Sequence, residues 1–304
     1  MTSGKREAGS GKRGERGRGW RATRVPCVAL CTLLCLSARV SLVRAQGIDD
    51  ARDAYRSGKY AGAIAALSKV SPNDSDWVEA QRLLVSALAK TGKYEEAETT
   101  ARRATAARGG EALWNTLGEV LIARGKRAAA ESAFVRAVAA KTSDSLTATV
   151  NLAVLHYDRG ERDRAMKEFD RFIDIYNAAG GANLTSDELV DVATAVAYLG
   201  VNDHELFKDA LKAYDRALQS DPLNADAKIK LGELFLRKYN FADAQRSFED
   251  VLAENPNEPR ALLGAAMRQQ ADGQGGDSLL RASLAVNPDY PEARVLHEIG
   301  RAHV

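Results

Sequence analysis

From about residue 48 onward, apolar residues recur three and four positions apart, not at alternate positions. That spacing places them on one face of a helix and predicts a chain of amphipathic helices with no competing strand signal. The stretch EALWNTLGEVLIARGKRAAAESAFVRAVAA, residues 111–140, shows the pattern most clearly. Trp114, Leu117, Leu121 and Ile122 fall on one helical face. Gly125 then stops the helix, because glycine enters a left-handed turn without steric penalty. A second helix is predicted over about 127–140, with Ala130, Phe134 and Ala137 on a single stripe. Gly118 and Ala130 are small, so two antiparallel helices can approach closely, while Trp114, Leu121 and Phe134 fill the space around the contact. Lys126, between the helices, reads as a solvated residue.

The same unit returns along the chain. Gly58, Gly92, Gly125 and Gly160 are spaced by 34, 33 and 35 residues. An alanine follows five positions after each: Ala63, Ala97, Ala130 and Ala165. Upstream stand the pairs Leu84-Val85, Leu117-Gly118 and Leu152-Ala153, and later Leu231-Gly232 and Leu263-Gly264. Pro222, Pro256 and Pro288 end the later units. Self-similarity at this period is the mark of a helical repeat array. The sequence resembles the tetratricopeptide repeat family, with its W…L-G…Y…G…A…F…A…P signature. Trp114, Leu117, Gly118, Gly125, Ala130 and Phe134 carry that signature in one unit. Leu231, Gly232, Phe235, Phe241, Ala244, Phe248, Val251 and Pro256 carry it in another, which departs from it at Tyr239, where the family usually has glycine.

The resemblance implies an all-α fold, an α-solenoid in which stacked helix-turn-helix units wind into a right-handed superhelix. It covers roughly residues 48–298, as seven units and the start of an eighth at Pro291. Units one to four span 46–178, and units five to seven with the start of the eighth span 179–298, with AAGGANLTS at 178–186 as a soft division. The segment VNDHELF after Gly200 reads as an insertion of about five residues.

Charge changes the picture at the N-terminus. The chain has 43 Lys/Arg and 41 Asp/Glu, but residues 1–45 hold ten of the basic and only two of the acidic residues. Everything after them is mildly acidic. A positive segment, the apolar run VPCVALCTLLCLSA and the small-residue site at Val43–Ala45 together read as a signal peptide over 1–45. At 14 residues the apolar run is shorter than the ~20 a membrane-spanning helix needs. The expectation is an exported protein, in a bacterial periplasm or secreted, with a membrane anchor by an uncleaved signal as the alternative. Cys27, Cys31 and Cys35 all lie in the apolar run, so the processed chain would have no thiol chemistry. The last six residues, IGRAHV, do not continue the apolar spacing of PEARVLHE and match the translation of a common sequencing-adapter sequence. Residues 299–304 are read as adapter read-through, which makes the sequence a fragment.

No reactive constellation is evident. His204-Glu205 lacks the second histidine of H-E-x-x-H. His297 and His303 are six apart and share no helix face. His156 follows the apolar stripe of its helix and reads as a packed histidine. GSGKRGERG lacks phosphate-loop spacing, and the basic run has only Trp20 for stacking, so neither nucleotide nor nucleic acid is expected. No cofactor, metal or catalytic residue is assigned. What remains is a surface. In the family the first helices of the units line a concave side that commonly binds peptide segments. Helical spacing from the packed positions puts Arg82, Ser86, Asn115, Glu119, Tyr157, Glu233 and Arg237 on that side. The function implied is an exported scaffold or adaptor that binds other proteins or peptides. The alternative, from resemblance alone, is the substrate-presenting N-terminal repeat region of an exported metallopeptidase.

Overall fold

The computed structural model describes residues 47–140, 146–178, 183–201 and 203–302, with residues 301 and 302 described by backbone alone. The signal-like leader with its three cysteines lies outside the described residues, as do residues 303 and 304. Among the described residues every regular element is a helix. Helix α1 covers residues 47–56. It is followed by α2 (Tyr60–Leu67), α3 (Trp77–Lys90), α4 (Tyr94–Ala107), α5 (Glu111–Ala123), α6 (Arg127–Ala139), α7 (Leu146–Asp158) and α8 (Arg162–Ala178). Then come α9 (Ser186–Leu199), α10 (His204–Ser220), α11 (Ala225–Arg237), α12 (Phe241–Glu254), α13 (Pro259–Ala271), α14 (Asp277–Val286) and α15 (Pro291–Ala302). Successive helices pack as pairs, α3 with α4 through α13 with α14, and each pair packs on the next, while Tyr55 of α1 meets Tyr60 of α2 edge-on at 5.8 Å.

The turns inside the pairs follow from glycine. Gly58, Gly92, Gly125 and Gly160 all adopt positive φ, between 70° and 85°. At the equivalent position of the α11–α12 turn stands Tyr239, at φ 57°, the only non-glycine with positive φ among the described residues. Gly200 differs, with φ −81°. The insertion after it does not form a long loop. Asp203 caps the next helix by accepting from the backbone N–H of Glu205 and Leu206 at 2.9 and 3.2 Å. The extra residues therefore become an additional helical turn at the start of α10, which runs to 17 residues. At α9, Thr185 and Glu188 form a reciprocal capping box.

Small residues set the helix contacts. A β-carbon added at Gly118 would lie 2.3 Å from Cε1 of Phe134. Phe248 is wedged between two glycines: added β-carbons at Gly232 and Gly264 would lie 2.8 and 2.4 Å from its ring. Ala130, Ala137, Ala244 and Phe248 are fully buried, and Leu117, Phe134 and Leu231 nearly so. Pro256 is exposed in the α12–α13 turn. Trp114 is half-buried, with the Arg136 guanidinium 4.7 Å above its ring. Ile122 is 40% exposed and faces a cavity, not the helix contact.

The core runs along the stack. One cluster joins Ile48, Leu84, Leu117 and Phe134 through to Leu155, and a second joins Leu146 and Phe169 with Val192, Tyr214 and Leu234. The second spans α7 to α11. Two points correct the sequence reading. Helix α15 continues to Ala302, past the place where the apolar spacing breaks. Lys126 is not simply solvated: its Nζ donates to Glu98 Oε2 at 2.8 Å. Glu98 is 5% exposed and also pairs with Arg102 and Arg124.

The pairs curl until the two ends of the array meet. Asn255 Nδ2 donates to Tyr60 Oη at 3.0 Å, and Asn287 Nδ2 donates to Tyr94 Oη at 2.8 Å. The α1–α2 and α3–α4 turns thus touch the α12–α13 and α14–α15 turns.

Candidate functional site

The curl encloses an inner wall built from the odd-numbered helices. On α3, Ser86 Oγ lies 2.6 Å from Tyr55 Oη of α1. One turn further on, Lys90 Nζ donates to both oxygens of Glu258 at 2.6 Å. Glu258 is 3% exposed, in the α12–α13 turn. Burial works against the charge on Lys90, but the adjacent Glu258 carboxylate outweighs it and holds the ammonium well above the ordinary lysine range.

The facing wall carries a connected set of charges. Asp226 accepts from Arg260 Nη1 at 2.9 Å and lies 3.0 Å from Lys230 Nζ. Arg260 also makes a two-pronged pair with Glu233, at 2.7 and 2.8 Å. Such fork-to-fork pairing fixes geometry as well as charge. Burial alone would raise Asp226, yet Lys230 and Arg260 pull it well below the usual carboxylate range. On α9, Asp191 is 2% exposed and accepts from Thr147 Oγ1 at 2.6 Å. Burial pushes its carboxyl up to about 7.

The structure brings part of the predicted set together. Ser86 and Glu119 line a cavity of about 520 Å³, along with Lys90, Asp226, Glu258 and Arg260. Asn115 donates to Glu119 at 2.9 Å, and Asn151 reaches both, at 3.0 Å from Asn115 and 3.3 Å from Glu119. The enclosing walls raise the Glu119 carboxyl, and Arg82 opposes that shift. Glu233 and Arg237 line a separate cavity of about 740 Å³, with apolar walls from Leu263, Met267 and Val295. Tyr157 lies elsewhere. It packs on Tyr198 and Phe169, with ring centroids at 5.0 and 6.5 Å, beneath the Arg162 guanidinium. Its neighbours make it part of the α7–α9 packing.

Sequence reasoning missed Lys90, Asp191, Asp226, Lys230, Glu258 and Arg260. Three had a signal: Asp226 and Lys230 continue the Glu233/Arg237 stripe of α11 backward by seven residues. Lys90 lies one helical turn beyond Ser86 in the same way. Glu258 and Arg260 had none, because their partners are distant in sequence. His156 is fully buried, with Nδ1 2.7 Å from Glu168 and Nε2 3.6 Å from Glu131. Among the described residues, no group of three His, Cys, Asp or Glu side chains is placed to hold a metal ion, and no helix is long and apolar enough to cross a membrane.

No curated protein matches the sequence. Several solved structures are similar. A thermophilic TPR protein of Thermus thermophilus aligns at 19% identity, over 62% of this chain and 97% of its own, with a TM-score of 0.49. The Cut9–Hcn1 hetero-tetramer of the APC/C aligns at 13% identity, over 82% of this chain and 47% of that one, with a TM-score of 0.50. YrrB, described as a TPR protein with an unusual peptide-binding site, aligns at 16% identity over 65% of this chain and 97% of its own, with a TM-score of 0.37. At these identities the likeness concerns the fold. Tetratricopeptide repeat models match residues 54–120, 115–180 and 203–269, more than half of the sequence. With glycine turns at the repeat period and aromatic rings seated on small residues of the neighbouring helix, the chain belongs to the tetratricopeptide repeat family.

Proposed function

We propose that this protein is a scaffold or adaptor that binds an extended segment of a partner protein along the inner wall of the array. The observation that carries this reading is the cavity shared by Ser86, Lys90, Glu119, Asp226 and Arg260, where fixed charges of both signs converge on one enclosed space. Tetratricopeptide repeat proteins generally mediate protein–protein or peptide interaction. Paired charges on a rigid wall suit the backbone and polar side chains of an extended chain. They hold their geometry before the partner arrives, which limits the ordering cost of binding. The leader supports an exported location, with cleavage after Ala45.

Site-specific photo-crosslinking in the native host tests this reading. A crosslinking amino acid at Asn115 should capture discrete partner adducts, while the same group at the exposed Arg171 of α8 should not. Identical adduct patterns from the two positions would refute binding at the inner wall.

A further inference from the structure

The two ends of the array are joined by two equivalent rungs. In the first, Asn255 donates to Tyr60 at 3.0 Å and Asn257 Nδ2 donates to the Gly58 carbonyl at 3.3 Å. Tyr60 Oη in turn donates to Glu258 at 3.1 Å, and Glu258 receives Lys90. In the second, Asn287 Nδ2 donates to Tyr94 Oη at 2.8 Å and to the Ala89 carbonyl at 3.2 Å. Each rung seats an Asn-Pro turn on a Gly-Lys-Tyr turn: Asn255-Pro256 on Gly58-Lys59-Tyr60, and Asn287-Pro288 on Gly92-Lys93-Tyr94. The absence of a side chain at the glycines permits the approach. A β-carbon at Gly58 or Gly92 would lie 2.1 or 2.8 Å from the facing asparagine Oδ1. Tyr60, Asn255, Glu258 and Asn287 are all at most 6% exposed. These side chains are therefore largely shielded from solvent by the contact.

The rungs are polar, which matters for what they can do. An apolar seam of this size would be costly to reopen. Hydrogen bonds between protein groups are exchanged for bonds to water when the seam parts, so the net contribution of each is a small fraction of its gross strength. Their closure also draws the two walls together, with Lys90 of α3 held against Glu258 of the α12–α13 turn at the edge of the cavity of about 520 Å³.

We propose that the two Asn-Pro/Gly-Lys-Tyr rungs are a gate, which holds the array shut over its inner wall and must part before a partner segment enters. This rests on the inner wall being the binding surface, as argued above. The closed state lowers the apparent affinity for a partner by the fraction of molecules that are open. Asn255, Asn287, Tyr60 and Tyr94 then set affinity without touching the partner.

The test reads access to the wall directly and does not depend on a partner. Ser86→Cys places a thiol in the cavity of the full chain, and the parent chain serves as the background. Its labelling is followed with N-ethylmaleimide and with a polyethylene-glycol maleimide. Two gate variants are compared with the intact gate: Tyr60→Phe/Tyr94→Phe, which removes only hydroxyls, and Asn255→Ala/Asn287→Ala. Small-angle scattering and circular dichroism accompany each. With the gate intact, an open fraction of about a tenth would slow the large reagent by about tenfold relative to the gate variants, leaving the small reagent unchanged. The variants should expand at unchanged helicity. Equal large-reagent rates with and without the rungs, or an intact protein already as expanded as both variants, would overturn the gate. Gate behaviour without any captured partner would instead refute the binding role and leave the gate standing.

Discussion

The ring of Phe134 occupies the space that a β-carbon at residue 118 would need, with Cε1 only 2.3 Å from that point. Phe134 is 2% exposed and cannot swing into solvent. Gly118→Ala should therefore destabilise the protein by roughly 1–3 kcal/mol, the usual cost of overpacking a tight contact. Gly62 is the control. It also lies within a helix, but a β-carbon there meets nothing within 4 Å. Gly62→Ala should be neutral or raise stability by up to about 1 kcal/mol through helix propensity. Thermal melts of the two variants should move in opposite directions. Equal shifts would mean that close approach at 118 is unimportant.

Tyr239 carries a backbone conformation that its equivalents assign to glycine. Its φ is 57°, its side chain is 81% exposed, and its ring meets Phe241 edge-on at 6.2 Å. A bulky residue in the left-handed region costs about 1–2 kcal/mol. Tyr239→Gly relieves this strain, offset in part by the greater freedom of glycine in the unfolded chain. A net gain of roughly 0.5–1 kcal/mol in urea denaturation is expected. A loss on substitution would show that the Tyr239 ring holds the turn by contacts stronger than its strain.

The helix pairs were legible because their determinants are local and recur: a glycine turn, an alanine five residues later, an aromatic ring opposite a small residue. Gly118 and Phe134 could be matched from spacing alone. The closure of the array could not. Gly58 and Asn255 are far apart in sequence, and their meeting depends on small rotations accumulated over seven units, which no local periodicity records. The inner wall was half legible for the same reason. Ser86, Glu119 and Glu233 follow from the helical stripe, whereas Glu258 acquires its role from Lys90 on the opposite wall and Arg260 from Asp226 and Glu233 of the preceding unit. Lys126 was misread because Glu98, its partner, is buried by the neighbouring unit.

That buried carboxylate gives a graded prediction. Glu98 receives Arg102 at 2.9 Å and both Arg124 and Lys126 at 2.8 Å. Burial alone would raise its pKa, but Lys126 and Arg102 outweigh it and hold the group below the ordinary range. Glu98→Gln leaves three cations facing a neutral group and should cost roughly 1–3 kcal/mol. Lys126→Ala leaves two partners in place and should cost about 0.5–1 kcal/mol. Denaturant midpoints for both variants decide this. A Lys126→Ala cost equal to that of Glu98→Gln would place the whole interaction in one pair.

Asp191 makes stability depend on pH in an unusual direction. Its carboxyl is buried on α9 against Thr147, with Lys230, Asp226 and Asp187 as the charges that act on it. Burial raises it from 3.8 to about 7, and Lys230 opposes the shift. Between those two values the folded protein keeps a proton that the unfolded chain releases. Stability must then fall as pH rises through this window and level off above about 7. The penalty is absent below the unfolded value and complete above the folded one, at most about 4 kcal/mol from the size of the shift. Asp191→Asn retains an acceptor for Thr147 and removes the titration. Unfolding free energies at pH 5 and pH 8 should therefore show the variant gaining on the parent protein at the higher pH. A constant difference between the two proteins across that range would mean that Asp191 ionises normally in the folded state, and that its burial beside Thr147 is compensated by Lys230.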